Sequence, residues 1–205
     1  NSFLELTLYA TKIDDAIIPF TVDGDVYFRN AATVNRKGLE FGFNTEIARG
    51  LKFATSYTYS DFKYDSYTAL NIAGNGLVNT EDYSGNTEPA NPDHYITGEL
   101  HYIYDLKNER NLFIKTNGLY VGQMQVNDKN VDSLKTESYY LQGAQIGADL
   151  TYGKFRILAF AGLNNIFDKK YVAFVQINSD RQEYYESGPR RNFFSGLNIS
   201  YLFNR

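Results

Sequence analysis

From Phe3 to Ile18 the chain alternates. Leu4, Leu6, Leu8 and Ala10 fall on one side of a pleat, and Glu5, Thr7, Tyr9 and Thr11 on the other. A period of two with one apolar face marks a β-strand whose two sides meet different surroundings. The pattern returns at Leu39, Phe41, Phe43, Thr45 and Ile47, set against Glu40, Gly42, Asn44 and Glu46. It continues through Leu51, Phe53, Thr55, Tyr57 and Tyr59, ending near Tyr64. Strands then resume at Tyr95–Asp105 and at Asn111–Gly122, where the alternation slips near Gly118 in the manner of a bulge. Tyr139–Tyr152 and the stretch from Phe155 to Leu163 alternate cleanly. Tyr171–Asn178 reads as a further strand, and Phe193, Leu197, Ile199, Tyr201 and Phe203 share one face of the last. The expectation is nine antiparallel strands and no helix.

Turn chemistry separates them. Arg49-Gly50 and Tyr152-Gly153 are tight hairpin signals. Phe20–Asn35 reads as polar and turn-like, with Asp23-Gly24-Asp25 as its sharpest point. Ser66–Asp93 and Gln123–Ser138 lack periodicity and read as loops, Asn164–Lys170 as a polar turn, and Ser179–Arg190 as a polar loop. Strands of this length exceed the usual five or six residues and suit a tilted bilayer crossing. The faces opposite the apolar ones carry Glu5, Glu40, Glu46, Glu99, His101, Asp149 and Arg156. Such a row suits a wet lumen better than a dry core. A soluble β-sandwich also alternates, but the charged inner faces argue for an antiparallel transmembrane β-barrel.

Composition changes this picture little. The 205 residues are 43% hydrophobic and include 18 Tyr and 15 Phe but no Trp. Aromatics at this level favour β structure and supply interfacial girdles. No run of 18 apolar residues predicts a transmembrane helix. The absence of cysteine removes disulfides and thiolate sites. A formal net charge of −4, with only short basic pairs at Lys169-Lys170 and Arg190-Arg191, excludes a nucleic-acid footprint.

Candidate chemistry is sparse. His94 and His101 are the only histidines, and neither a GxSxG nor an HExxH motif is present, so no catalytic residue is expected. The oxygen-rich pairs and runs at Asp23/Asp25 and Asn127–Asp132 lack the glycine and closing glutamate of an EF-hand loop, and no metal site or cofactor is expected. The loop Ser179–Arg191 is the most suggestive. Arg181, Tyr184, Tyr185, Arg190 and Arg191 combine cationic donors with flat rings, which suits an anionic, catecholate-like or carboxylate-rich ferric complex. Asp180, Glu183 and Glu186 temper that charge. The bland alternative is a solvated loop in which Arg190 and Arg191 anchor the start of the final strand.

Three stretches carry a resemblance. LNNIFDKKY at Leu163–Tyr171, GPRRNFFSGLNISYLF at Gly188–Phe203 and the hairpin from Arg36 to Tyr64 resemble TonB-dependent outer-membrane receptors. The resemblance implies a 22-stranded barrel with an N-terminal plug, importing a scarce nutrient across the outer membrane of a Gram-negative bacterium, most often a ferric siderophore. Residues 1–205 would then be the C-terminal portion of one barrel domain, about nine strands, with the plug and earlier strands lying outside this chain. Implied partners are outer-membrane lipid, TonB acting through the plug, and a small metal-chelate ligand. The alternatives are a passive or structural barrel, or a barrel-embedded hydrolase using His94 or His101. The chain departs from the family in continuing with Asn204-Arg205 past the terminal aromatic Phe203. Counting back from a periplasmic C-terminus makes Arg49-Gly50, Asp105–Arg110, Tyr152-Gly153 and Ser179–Arg190 extracellular. The same count makes Phe20–Asn35, Ser66–Asp93, Gln123–Ser138 and Asn164–Lys170 periplasmic.

Overall fold

The computed structural model describes residues 2–179 and 181–203, so Asp180 and the Asn204-Arg205 extension lie outside the described residues. Three tall strands come first: β1 (Ser2–Val22), β2 (Asp25–Ala48) and β3 (Leu51–Ile72). A short β4 (Val78–Asp82) folds back on the end of β3. The remaining wall strands are β5 (His94–Asp105), β6 (Arg110–Val121), β7 (Tyr139–Tyr152), β8 (Phe155–Asn164) and β11 (Asn192–Tyr201). β9 (Val172–Val175) and β10 (Tyr185–Ser187) pair only with each other. The main sheet is thus an antiparallel meander in the order β1-β2-β3-β5-β6-β7-β8-β11, with β4 at its margin.

Register settles which residues share a face. Thr7 pairs with Glu40, Glu40 with Thr58, Lys52 with His101, and Ala54 with Glu99. His101 then pairs with Lys115, Asn111 with Asp149, and Thr151 with Arg156. Following these rows from strand to strand puts Glu5, Glu40, Glu46, Glu99, His101, Asp149 and Arg156 on one face of the sheet. The opposite face presents Leu8, Ile146 and Leu197, 71%, 61% and 67% exposed. Leucines exposed to this degree in row after row make little sense against water and good sense against hydrocarbon. On the polar face, Phe194 lies over Gly162 and Phe160 over Gly196, rings filling the space that glycines leave in the wall.

The connections differ sharply between the two rims. On the lower rim, Gly50 turns β2 into β3 with a φ of +76°, where the Ile103 carbonyl leaves no room for a side chain. The 106–109 turn and the Gly153 turn lie on that rim too, beside the Tyr201 end of β11. The upper rim carries the Asp23-Gly24 turn and the long connections 73–93, 122–138 and 165–191.

This corrects two expectations. The stretch Tyr171–Asn178 does not enter the wall: β8 pairs directly with β11. Val172 and Val175 turn into the loops instead, with Val175 only 3% exposed, which is why the stretch imitates a strand. Removing one strand from the count shifts the parity. Ser66–Asp93, Gln123–Ser138, Asn164–Lys170 and Ser179–Arg190 therefore belong to one rim, and Arg49-Gly50, Asp105–Arg110 and Tyr152-Gly153 to the other. The second correction concerns Phe20–Asn35, which is mostly strand: β1 and β2 run on as a hairpin to the Asp23-Gly24 turn. The register slips there, at Ile13/Ala16 and Ala16/Ile17, and this blurred the alternation.

Candidate functional site

The buried apolar side chains among the described residues gather at the upper rim. The β3–β5 ladder ends at Tyr59–His94. Above it, β1, β2 and β3 curl until Thr21 and Val22 of β1 meet Asn71 and Ile72 of β3. Ile18, Ala32, Val34, Tyr64 and Tyr67 fill the curl. A second cluster of Met124, Val126, Val175 and Tyr184 lies among the long connections.

A buried carboxylate joins these parts. Asp128 is 4% exposed and accepts from the Tyr64 hydroxyl at 2.6 Å, the Tyr67 hydroxyl at 3.1 Å and Asn178 Nδ2 at 2.8 Å. Its own N–H donates to Asn178 Oδ1 at 2.9 Å, and its carbonyl accepts from Asn86 Nδ2 at 2.7 Å. Asn130 extends the knot, accepting from the Thr87 N–H and donating to the Thr87 carbonyl. Three loops and β3 are thereby fixed to one residue. Burial first, and the Asp128 carboxylate second, push both phenols above their ordinary range, so they remain donors. Arg36 ties the same region to β2 through a two-pronged bond to Glu88, at 2.7 and 2.9 Å.

Above this knot opens a cleft of about 1010 Å³. Its walls come from the β1–β2 tip (Pro19, Phe20, Val26, Phe28), the β3–β4 hairpin (Ala69 to Asn71 and Val78 to Glu81), and loop residues around Asn127 and Asn178. Tyr67, Tyr83 and Tyr184 contribute rings, with Tyr67 and Tyr83 edge to face at 5.3 Å. Lys129 Nζ lies 2.8 Å from both Glu81 oxygens, and the Tyr83 hydroxyl donates to Glu81 Oε2 at 2.7 Å. The Lys129 bond first, then that of Tyr83, holds the Glu81 carboxyl below its ordinary range. The cleft offers flat apolar surface, amides and a neutralised ion pair. That chemistry is suited to holding a ligand.

The structure disperses the residues expected in Ser179–Arg191. Tyr184 is buried at 8% in the second cluster and lines the cleft. Tyr185 is exposed and donates to the Leu134 carbonyl. Arg190 pairs with Asp168 (Nε–Oδ1 2.8 Å), while the Arg191 N–H donates to the same oxygen at 3.0 Å. These bonds, the Arg190 side chain's foremost, hold the Asp168 carboxyl well below the carboxylate range. Arg190 and Arg191 thus pin the 165–168 turn to the head of β11, the bland alternative for these two. Arg181 is exposed and lines no part of the cleft. The Asn127–Asp132 run directs its oxygens to the protein: Asn127 Oδ1 accepts from the Val131 N–H, and Asp128 is occupied as described.

On the polar face, Glu99 pairs with Lys115 at 2.6 Å and Asp149 with Arg156 at 2.6 Å. Glu46 accepts from the Gly50 N–H at 2.9 Å. His101 packs its ring edge against Phe113. His94 faces the other way, bonded to the Tyr57 hydroxyl at 2.9 Å on the apolar side. The two histidines lie on opposite faces and cannot share a site. The cleft itself went unread in the sequence because its walls come from segments expected on opposite rims. The available signal was that long and short connections alternate from β3 onward.

Residues 1–166 match the family described as TonB dependent receptor-like, beta-barrel. The ferrichrome outer membrane transporter/phage receptor of Escherichia coli (strain K12) is 25% identical over 152 residues, covering 74% of this chain and 18% of that protein. The ferrioxamine receptor of Yersinia enterocolitica is 31% identical over 150 residues, covering 72% and 19%. This chain therefore spans about a fifth of the length of these curated relatives. Among solved structures, the ferric yersiniabactin uptake receptor from Yersinia pestis superposes with a TM-score of 0.69 at 17% identity, over 97% of this chain and 27% of that one. The ferric preacinetobactin receptor from Acinetobacter baumannii gives 0.64 at 16%, over 98% and 26%. At these identities the solved structures speak to the fold alone.

Proposed function

The chain belongs to the TonB-dependent receptor β-barrel family, whose receptors sit in the bacterial outer membrane, and from that premise we propose that it supplies wall and outer loops to an energised importer of a ferric siderophore. The cargo, the dependence on TonB through a plug, and the contact with outer-membrane lipid are parts of this reading. The supporting observation is the asymmetry of the rims. Outer-membrane barrels have short periplasmic turns and longer extracellular loops, so the knotted upper rim faces the medium and its cleft faces incoming ligand. The face bearing Glu5, Glu40, Glu46, Glu99, His101, Asp149 and Arg156 then lines the lumen. Within the loop Ser179–Arg191, Tyr184 contributes to the ligand wall, while Arg190 and Arg191 hold the loop in place. The names of the curated relatives, for ferrichrome and ferrioxamine, support a ferric chelate as the cargo.

The test is uptake of ⁵⁵Fe-labelled chelates by cells expressing the full-length receptor, with and without TonB. Accumulation that requires both the receptor and TonB is expected. Equal accumulation without TonB would leave a passive barrel.

A further inference from the structure

We propose that the Glu81–Lys129 ion pair selects ligand by charge, so that the cleft takes a neutral or cationic metal chelate and turns away an anionic one. This rests on the reading of the cleft as the receptor's outer ligand site.

Lys129 is the one cation among the described residues lining the cleft, and Glu81 neutralises it with both oxygens at 2.8 Å. The second lining carboxylate, Asp128, has phenols and an amide as its partners and pairs with no cation among the described residues. The cleft wall therefore carries a net negative charge. Two further cations stand near the wall without lining it: Arg29, whose Nη2 donates to the neutral Thr68 carbonyl, and exposed Arg181, in the loop between Ser179 and Tyr184. The carboxylates around them are more numerous. The hairpin tip adds exposed Asp23 and Asp25, and β4 ends at exposed Asp82. A trianionic chelate entering here meets carboxylates at its approach and a lysine already engaged. A cationic chelate meets the same carboxylates favourably, and the aromatic side chains of Phe20 and Phe28 line the same wall.

The pair is well placed to act as a selector because it does little else. Its side chains are 51% and 55% exposed, and an ion pair so exposed contributes little to stability. Replacing either partner therefore changes charge and leaves the fold intact. Glu81→Gln releases Lys129 into the cleft; Lys129→Gln releases Glu81.

The experiment measures binding of three ⁵⁵Fe chelates to the full-length receptor in outer-membrane vesicles. The probes are a trihydroxamate with a protonated amine, its neutral N-acetyl derivative, and a tricatecholate trianion. The unmodified receptor is expected to bind the first two at least about tenfold more tightly than the third, a difference of about 1.4 kcal/mol. Glu81→Gln is expected to reduce that ratio about tenfold, and Lys129→Gln to widen it. A wild-type preference for the trianion, or a ratio unmoved by Glu81→Gln while binding persists, would overturn charge selection alone. Failure of all three chelates to bind would overturn the receptor reading together with it.

Discussion

The wall and the upper rim of this molecule are built on opposite solvent logic. In the wall, β5 to β8 and β11 hold their backbone in continuous ladders and display leucine and isoleucine outward, with charge on the other face. Below the upper ends of the strands, no buried apolar cluster is found among the described residues. The upper rim does the reverse. It hides Val34 and Val126 at 1% exposure and places a carboxylate at the centre of its loops. A strand between lipid and a water-filled lumen needs only its alternation and its ladder. A loop surrounded by water must bury apolar surface and satisfy its polar groups, as a soluble domain does.

Substitutions should separate the two regions. The largest effect is expected from Asp128→Ala, which leaves two phenols and an amide buried without their acceptor. The cost is on the order of 4 kcal/mol, confined to the rim. Hydrogen exchange should accelerate across 122–138 and 173–179 while β6 and β7 stay protected. Equal loosening of the wall would erase the distinction between the regions.

Next comes Leu197→Arg, which sets a charge against lipid near the middle of β11 and should cost about 3 kcal/mol. Its neighbour Asn198→Arg lies on the polar face and should be nearly silent. Urea titration of the full-length receptor folded into vesicles compares the two, and equal costs would mean that the faces are misassigned. Val126→Ala removes buried methyl groups from the rim cluster and should cost about 2 kcal/mol. Thermal unfolding in detergent monitors it, and no change would show that the cluster does not support the loops.

The smallest effect concerns pH. Asp168 is depressed in the folded state by Arg190 and the Arg191 N–H. Its contribution is therefore present above the ordinary carboxylate pKa of about 4 and is lost as pH falls below it towards the folded value. Exchange protection of the Arg191 amide should decline in that acid range, and Asp168→Asn should remove the decline. A decline that survives the substitution would assign it to another carboxylate.

Much of the wall was legible from residues alone. The alternation Leu4-Glu5-Leu6-Thr7 and its counterparts predicted strands, faces and hairpins, and Arg49-Gly50 fell where the structure turns. The slip expected near Gly118 is absent: β6 pairs without interruption from Arg110 to Val121, and only its residue types vary. The rim was harder. Tyr171–Asn178 has a strand's composition, yet Val172 and Val175 pack against Met124 and Val126. Nothing local distinguishes an apolar side chain facing a loop cluster from one facing lipid. That single stretch reversed the parity and separated segments that share a rim.

What the sequence determined by itself was the set of properties with a short period. These are which residues alternate, which face is apolar, where a glycine permits a turn, and the family to which such strands belong. The tertiary structure alone decided that Asp128 meets Tyr64 and Tyr67 from more than 60 residues away, that the long connections converge, and that a cleft opens among them. The reason is physical. A pleat repeats every two residues and is written into neighbours along the chain. The packing of loops depends on which strands pair, and each pairing inverts the side on which the next connection emerges.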